Sequence, residues 1–324
     1  MMRAKARRFL GRFSVTEKGL LVTIIVCGIG LAVLSPVFLT AGNLLNVTRQ
    51  MALVAIIGVG ECYCIISGEF DLSVGSTLGL VAMVTALLIT AGWGYLALIL
   101  GLLVGAFVGV LNGILVTKVK IPSFIVTLGM LMLVRGLILA TTKGWPVPLP
   151  ASTPRWFFYL GQGRPWGIPM QAIVMVIVLL IGNLILSRTK IGYHMYAVGG
   201  SARSAHLNGI SVTKIKIFAF VVTGFLAAIA GILSLSFIQT GNPQLGTLME
   251  LDIITAVVIG GTAIRGGRGS ILGVFLGALI WALILNGLIL LGVEAYYSKV
   301  VMGIIIIGAV AASTIKEPVA YLKA

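Results

Sequence analysis

The sequence predicts an all-α, polytopic membrane protein with about ten transmembrane helices. Of its 324 residues, 59% are hydrophobic and 10% are charged, whereas charged residues make up about 25% of ordinary soluble domains. Spans of roughly 20 apolar residues with short links fill this length and leave no room for a separate soluble domain. The three cysteines all lie in apolar stretches, which argues against a disulfide scaffold. Any function must therefore be performed by the membrane-embedded part.

Apolar runs bounded by Gly, Pro, Asn or charged residues define the ten predicted spans. The first five lie at residues 19–39, 46–67, 74–92, 94–117 and 122–142. The next five lie at residues 169–187, 214–238, 249–264, 270–291 and 296–314. The third span is the least apolar at its start, because Gly75, Ser76 and Gly79 dilute it. The spans form one transmembrane domain, residues 19–315, between tails at 1–18 and 316–324.

The basic residues predict the orientation. The net charge is +15, with 23 Lys and Arg against 8 Asp and Glu. The N-terminal tail carries Arg3, Lys5, Arg7, Arg8, Arg12 and Lys18. Because cytoplasmic segments are enriched in Lys and Arg, this tail is predicted to be cytoplasmic, and an even number of spans places both termini there. Most other basic residues then fall in cytoplasmic links, so the surplus marks topology and does not indicate nucleic-acid binding.

Two links between spans are long enough to have a function of their own. The outer link, residues 143–168, combines prolines with Trp and other aromatic residues, which fits either an interfacial aromatic belt or a docking surface for an external partner. The inner link, residues 188–213, is polar and compatible with a short helix near residues 201–207, with Ala202, Ala205 and His206 on one side. A simple joint needs only about 2 to 8 residues. Its length therefore favours docking of a cytoplasmic partner over a plain connection.

The two halves of the chain show a weak internal repeat. Residues 68–72 read Gly-Glu-Phe-Asp-Leu and residues 249–253 read Met-Glu-Leu-Asp-Ile. Each is followed by a glycine-spaced span that ends in Leu-Asn-Gly, at residues 111–113 and 285–287. Five spans per half is an odd number, so the halves would have opposite orientations, as in many transporters.

Acidic residues inside or beside the spans are candidates for a solute path. A carboxylate at mid-bilayer costs about 2.5–3.5 kcal/mol, so it should face water, a partner or the interface. Asp71 has two interpretations: it caps the third span, or it belongs with the other acids to a helix break that borders the path. The candidate path residues are Glu61, Glu69, Asp71, Asn112, Glu250 and Asp252.

No energy-converting chemistry is visible in the sequence. None of the lysines lies between a Gly and a Ser or Thr, so the phosphate-binding loop of ATPases is missing. The two histidines, His194 and His206, have no suitably spaced partners for a metal or catalytic site. A membrane enzyme is therefore disfavoured. The chain either conducts passively, couples transport to an ion, or takes energy from another subunit.

Four stretches make the sequence similar to a known family. They are Gly-Glu-Phe-Asp-Leu-Ser-Val-Gly-Ser at residues 68–76, Leu-Gly-Met-Leu-Met-Leu-Val-Arg-Gly at 128–136, the link from 197–200 to 209–210, and residues 250–269 with their Val-Val-Ile-Gly-Gly-Thr and Arg-Gly-Gly-Arg-Gly runs. Together they resemble the permease subunits of bacterial ATP-binding cassette (ABC) importers for ribose, xylose, arabinose and related monosaccharides. The resemblance covers about residues 45–314.

This resemblance implies a transport subunit of the bacterial cytoplasmic membrane that is not itself an enzyme. The implied partners are a second permease chain, a cytoplasmic ABC ATPase that binds ATP and Mg, and a periplasmic or lipid-anchored sugar-binding protein. No cofactor is expected on this chain. The family's ATPase-coupling segment corresponds to Gly200, Ser201, Ala202, Arg203, Ser204, Ala205, His206, Leu207 and Gly209. The alternative to this interpretation is an ion-coupled secondary transporter with inverted repeats.

Overall fold

The protein, described by a computed structural model over residues 15–315, is built almost entirely of α-helices. The helices are α1 (Val15–Leu34), α2 (Ala41–Ile66), α3 (Val74–Thr90), α4 (Tyr95–Thr117), α5 (Ser123–Thr142), α6 (Arg155–Gln162), α7 (Met170–Arg188), α8 (Lys190–Gly200), α9 (Ala202–Leu207), α10 (Val212–Ile238), α11 (Met249–Ile259), α12 (Ile271–Leu290) and α13 (Ala295–Ile315). Strands β1 (Val147–Pro148) and β2 (Thr240–Gly241) pair antiparallel. The predicted C-terminal tail and residues 1–14 of the N-terminal tail lie outside the described residues.

Among the described residues, seven helices are long and apolar enough to cross a membrane: α1, α2, α4, α5, α7, α10 and α12. The other three predicted spans correspond to α3, α11 and α13, whose apolar parts are shorter. Helix α11 has 11 residues, about 17 Å at 1.5 Å per residue, against about 30 Å of hydrocarbon. The prediction of a continuous span over residues 249–264 is wrong, because α11 ends at a pair of glycines and Gly261 adopts a φ of +91°.

Helices α4 and α10 pack closely through a row of glycines. A Cβ atom at Gly105 would lie 2.5 Å from the carbonyl oxygen of Gly224, and one at Gly113 would lie 2.9 Å from the Cα of Ile217. The contacts advance along α4 as they recede along α10, so the two helices are antiparallel. Small residues at this spacing let the two backbones touch, so the packing of α4 on α10 requires glycine at these positions.

The central helices pack in a cross-paired arrangement. Helices α3 and α4 both pack on α10, while α11 and α12 both pack on α2. Helix α3 also packs on α4 and α5, and α11 packs on α12 and α13. Helices α2 and α10 contact each other at the centre. The contacts made by spans two to five therefore have counterparts among spans seven to ten.

Non-helical segments precede both short helices, α3 and α11. Residues 67–73 turn back along the last turns of α2, since the Asp71 N–H donates to a Glu61 carboxylate oxygen at 3.2 Å. Residues 242–248 lead into α11, and Gly246, with a φ of +75°, packs against Gly75 in the first turn of α3. Both short helices therefore begin inside the bundle, with their N-terminal ends next to each other.

The outer link, residues 143–168, folds onto the ends of the spans. Strand β1 pairs with β2 through Val147 opposite Gly241, and Trp156 of α6 stacks on Tyr95 at 4.3 Å between ring centroids. Phe157 is fully buried, whereas Trp166 is 91% exposed. Part of the aromatic set thus stabilises the link, and part remains on the surface.

Candidate functional site

A buried polar cluster lies at the N-terminus of α3. The Ser73 N–H and hydroxyl donate to Asp71 Oδ1 at 2.9 and 2.6 Å. The Asn112 amide of α4 donates to Ser73 Oγ at 2.9 Å and lies 3.4 Å from both Asp71 oxygens. Glu61 contacts the cluster through the Asp71 N–H. All four side chains are at most 2% exposed, so the cluster sits within the helix bundle.

Asp71 lies in the turn before α3 and does not cap the helix. Its carboxylate accepts from the backbone N–H of Ser73, the residue immediately before α3, but no side chain at the N-cap accepts from the first N–H groups of the helix, so the capping interpretation is wrong. The same carboxylate lies at a break between two membrane helices, beside Glu61 and Asn112. Of the predicted path residues, the structure brings Glu61, Asp71 and Asn112 together.

Glu250 of α11 lies against the first turn of α3. A Cβ atom at Gly75 would overlap both the Glu250 carboxylate and the Gly246 carbonyl oxygen, so only glycine allows this approach. Glu250 is 6% exposed and lies in the first turn of α11. We name the region formed by the N-terminal ends of α3 and α11, with Glu61, Asp71, Asn112 and Glu250, the helix junction.

Arg135 of α5 supports the helix junction and was not among the predicted site residues. Its Nη1 donates to the carbonyl oxygens of Pro243 and Leu245 at 2.8 and 3.0 Å. Backbone groups outside a helix need partners inside a membrane, and this guanidinium supplies them for the segment before α11. The sequence signal was an arginine inside an otherwise apolar span, which such a role requires.

The other two predicted path residues pair with side chains outside the buried cluster. Glu69 forms an ion pair with Lys216 near the start of α10, and Asp252 accepts from the Trp281 Nε1–H of α12 at 3.2 Å. The internal repeat does not hold for the partners of its asparagines. Asn286 exchanges hydrogen bonds of 3.1 and 2.8 Å with Asn43, which is not an acid.

The inner link contains two helices, α8 and α9, which confirms the predicted short helix. The Ser201 hydroxyl oxygen caps α9 by accepting from the Ser204 N–H at 3.2 Å. After α9, Gly209 adopts a φ of +80°, and the Ile210 N–H donates to the Ala205 carbonyl at 3.0 Å. The turn into α10 is therefore defined by backbone hydrogen bonds.

The surface of α9 differs from the predicted one at one residue. Ala205 is 4% exposed and packs in the core, so its expected place on the exposed side is wrong. A six-residue helix that lies on a protein surface must bury one face, and in this helix the small Ala205 side chain lies on the buried face. Ala202, Arg203, His206 and Leu207 are exposed. The side chain of Leu207 is 79% exposed and that of Tyr193 in α8 is 72% exposed. They give the inner link apolar area for contact with a partner.

The inner link is anchored to the end of α2 and to the segment before α12. The Tyr196 hydroxyl of α8 donates to the Gly269 carbonyl at 2.8 Å, and burial raises the pKa of Tyr196 to about 12, so the donor keeps its proton. The Gly267 N–H donates to the Ile66 carbonyl at 2.8 Å. Gly199 fits against both residues, since a Cβ atom there would overlap them.

Comparison with known proteins identifies the family. The family model described as "Branched-chain amino acid transport system / permease component" matches residues 43–310. The chain belongs to this permease family. It is a multi-pass membrane protein and a transport subunit.

Several curated relatives match over nearly the whole chain. The ribose import permease protein RbsC of Escherichia coli K12 is 38% identical over 313 residues, which cover 96% of this chain and 98% of the relative. RbsC of Bacillus subtilis is 41% identical over 293 residues, covering 90% and 89%. The xylose transport system permease protein XylH of Escherichia coli K12 is 33% identical over 333 residues, covering 84% and 85%. No solved structure matches the chain.

Proposed function

We propose that the chain is the permease subunit of an ABC importer and forms the translocation path for a monosaccharide in the bacterial cytoplasmic membrane. The carrying observation is the near full-length similarity to ribose and xylose permeases. The family model is named after amino acid transport, but the solute class follows the relatives that align along the whole chain. The site chemistry agrees, because hydroxyl-binding groups such as Asn112 and Ser73 lie in the bundle.

The proposed architecture is one transmembrane domain, residues 19–315, made of two inverted five-helix halves with both termini in the cytoplasm. The cross-paired packing of α3 and α4 on α10, and of α11 and α12 on α2, supports this symmetry. Short helices in corresponding positions of two inverted repeats are the expected surroundings of a transport site. Helices α3 and α11 have this relation. The outer link, 143–168, is then periplasmic, and the inner link, 188–213, is cytoplasmic.

The proposed solute path passes the helix junction. Glu61, Asp71, Asn112 and Glu250 border it, and the two remaining acids act as supports. Glu69 holds the inner end through Lys216, and Asp252 holds α11 to α12 through Trp281. The first turn of α3 and the non-helical segment before α11 touch at Gly75 and Gly246, which gives a place where the halves can separate without breaking helical hydrogen bonds.

The proposed partners explain how a chain without an ATP site is driven. A cytoplasmic ABC ATPase, which binds ATP and Mg, docks on the coupling segment at Gly200, Ser201, Ala202, Arg203, Ser204, Ala205, His206, Leu207 and Gly209. Ala205 contributes by seating α9 on the core, and its exposed neighbours make the contact. A second permease chain completes the path, and a periplasmic or lipid-anchored sugar-binding protein delivers the sugar. This chain itself needs no cofactor.

Reconstitution in liposomes tests the function. The permease is combined with an ABC ATPase and a sugar-binding protein from the same organism, and uptake of radiolabelled D-ribose and D-xylose is measured with and without ATP. We expect ATP-dependent uptake that needs all components. Uptake by this chain alone under a proton or sodium gradient would contradict the proposal and support the ion-coupled alternative.

A further inference from the structure

An open groove of about 510 Å³ lies where the outer link folds onto the beginning of α4. It is lined by Tyr95, the first residue of α4, and by four residues of α6, namely Arg155, Trp156, Tyr159 and Leu160. The Tyr95 and Trp156 rings stack with 4.3 Å between their centroids. The two helices that form the groove are therefore held together by its own lining. We name it the aromatic groove.

One face of α6 is fixed to the bundle and the other is open. Phe157 is fully buried, and Gly161 lies so close to α10 that a Cβ atom there would overlap the backbone nitrogen of Phe237. Arg155 and Tyr159 are exposed, and their spacing of four residues places them on the same side of the helix. The open face of α6 therefore presents a guanidinium group beside a phenol.

The polar groups of the aromatic groove suit a phosphate ligand. Within the part of the chain that the structure describes, neither the Arg155 guanidinium nor the Tyr159 hydroxyl has an ion-pair or hydrogen-bond partner, and none of the residues lining the groove is acidic. A guanidinium binds a phosphate through two parallel hydrogen bonds. A tyrosine hydroxyl can donate to another phosphate oxygen or bond to a hydroxyl group.

A strip of large apolar side chains leads from the aromatic groove along α4. Tyr95, Ile99, Leu103 and Phe107 follow one another at intervals of four residues, and each is between 53% and 66% exposed. From Tyr95 to Phe107 the helix rises about 18 Å at 1.5 Å per residue. Half of the hydrocarbon core of a bilayer is about 15 Å thick. The strip therefore has the length of one layer of acyl chains.

The strip suits lipid better than another helix. Helices that pack closely in membranes do so through small residues, and the glycines of α4 already pack against α3 or α10: Gly101, Gly105, Gly109 and Gly113. Each residue of the strip from Ile99 onward is two positions from one of these glycines, which is about 200° around the helix. The strip is thus on the opposite side of α4 and contains only large side chains.

We propose that the aromatic groove and the strip on α4 together form a binding site for an anionic glycerophospholipid. Arg155 binds the phosphate, and the Tyr95 and Tyr159 hydroxyls bond to phosphate oxygens or to headgroup hydroxyls. An acyl chain lies along Ile99 and Leu103. A zwitterionic headgroup binds less tightly, because its own ammonium group already neutralises the phosphate.

Native mass spectrometry of the full-length permease in detergent tests the site. Phosphatidylglycerol with one palmitoyl and one oleoyl chain is titrated, and the dissociation constant of the first bound lipid is measured. Arg155→Gln should raise this constant about three- to tenfold, as expected for one cation beside an anionic headgroup. Arg164→Gln is the matched control, since it removes another exposed arginine of the outer link that does not line the groove. It should leave the constant unchanged.

A second variant and a second lipid examine the contacts separately. Tyr159→Phe keeps the ring and removes the hydroxyl, so it should weaken phosphatidylglycerol binding about two- to tenfold, as expected for one lost hydrogen bond. Phosphatidylethanolamine with the same chains should bind the unsubstituted permease at least threefold more weakly. Equal affinity for the two lipids overturns the proposal. So does a constant that neither Arg155→Gln nor Tyr159→Phe changes, or an equal loss in Arg155→Gln and Arg164→Gln.

Crosslinking tests whether a second permease chain covers the strip instead. Ile99→Cys is combined with Cys27→Ser, because Cys62 and Cys64 are buried, and native membranes are treated with an oxidant. We expect no disulfide-linked dimer, and its formation would overturn the lipid site. Neither experiment uses a sugar or the ATPase, so failure of the lipid site leaves the proposed import function standing.

Discussion

Gly105→Ala should destabilise the protein by forcing α4 and α10 apart. The new Cβ atom would lie 2.5 Å from the Gly224 carbonyl oxygen and 2.6 Å from the Ala228 Cβ atom. Ordinary contacts of this kind begin at 3.4 Å, so the local separation must grow by about 1 Å, which costs dispersion contacts along the interface. The Gly224 oxygen belongs to the backbone, so it cannot rotate away from the new Cβ atom as the end of a flexible side chain could.

The magnitude follows from two opposing effects. Overpacking a close contact costs about 1–3 kcal/mol, while replacing a helical Gly with Ala gains up to about 1 kcal/mol. Gly136→Ala is the matched control, since Gly136 is also helical and a Cβ atom there meets nothing within 4 Å. The difference between the two variants therefore isolates the overpacking, and it should be about 1–3 kcal/mol.

The assay is reversible unfolding of the purified permease in mixed micelles with increasing dodecyl sulfate, followed by circular dichroism. We expect the free energy of unfolding to fall for Gly105→Ala and to stay equal or rise for Gly136→Ala. Equal changes in both variants would refute the close packing of α4 on α10, and with it the cross-paired arrangement of the two halves.

Two further substitutions test the inner side. Leu207→Asp should leave folding unchanged, because the side chain is 79% exposed. It should weaken ATPase binding about tenfold or more, since burying a leucine contributes about 1.5–3 kcal/mol. Unchanged affinity in a pull-down titration would count against docking at α9. Lys216→Met leaves the Glu69 carboxylate half-buried and unpaired, so unfolding should become easier by about 1–3 kcal/mol. Adding Glu69→Gln should restore part of this stability, and a double-mutant cycle without coupling would show that the ion pair contributes nothing.

The sequence was sufficient to predict the long helices and the inner link. Apolar runs with charged ends define α2, α4, α5, α7, α10 and α12, because a lipid-exposed helix must be apolar over its whole length. The helix over residues 201–207 followed from its polar, Gly-terminated composition. These features depend on local composition, which a single sequence displays directly.

Features that depend on tertiary contacts were beyond the sequence. The glycine pair at the end of α11 is visible in the sequence, but the close packing of Gly260 on Gly273 of α12 is not. Ala205 reads as a surface residue in a polar link, but it faces the core. Arg135 stands out as an arginine inside an apolar span, but the sequence does not give its partners, the carbonyls of Pro243 and Leu245, more than a hundred residues away in the chain.

The inner link and the helix junction are joined by one short segment, residues 67–73. At its start, Ile66 accepts from Gly267 beside the anchored α8. In its middle, Glu69 is paired with Lys216, which follows α9 by a few residues. At its end, Asp71 accepts from the N–H of Ser73, just before α3, and donates its own N–H to Glu61. If the proposed ATPase displaces α9, we expect either that the ion pair breaks or that the N-terminus of α3 moves. Because that N-terminus packs on the segment before α11, moving it would change the contact between the two halves at the helix junction.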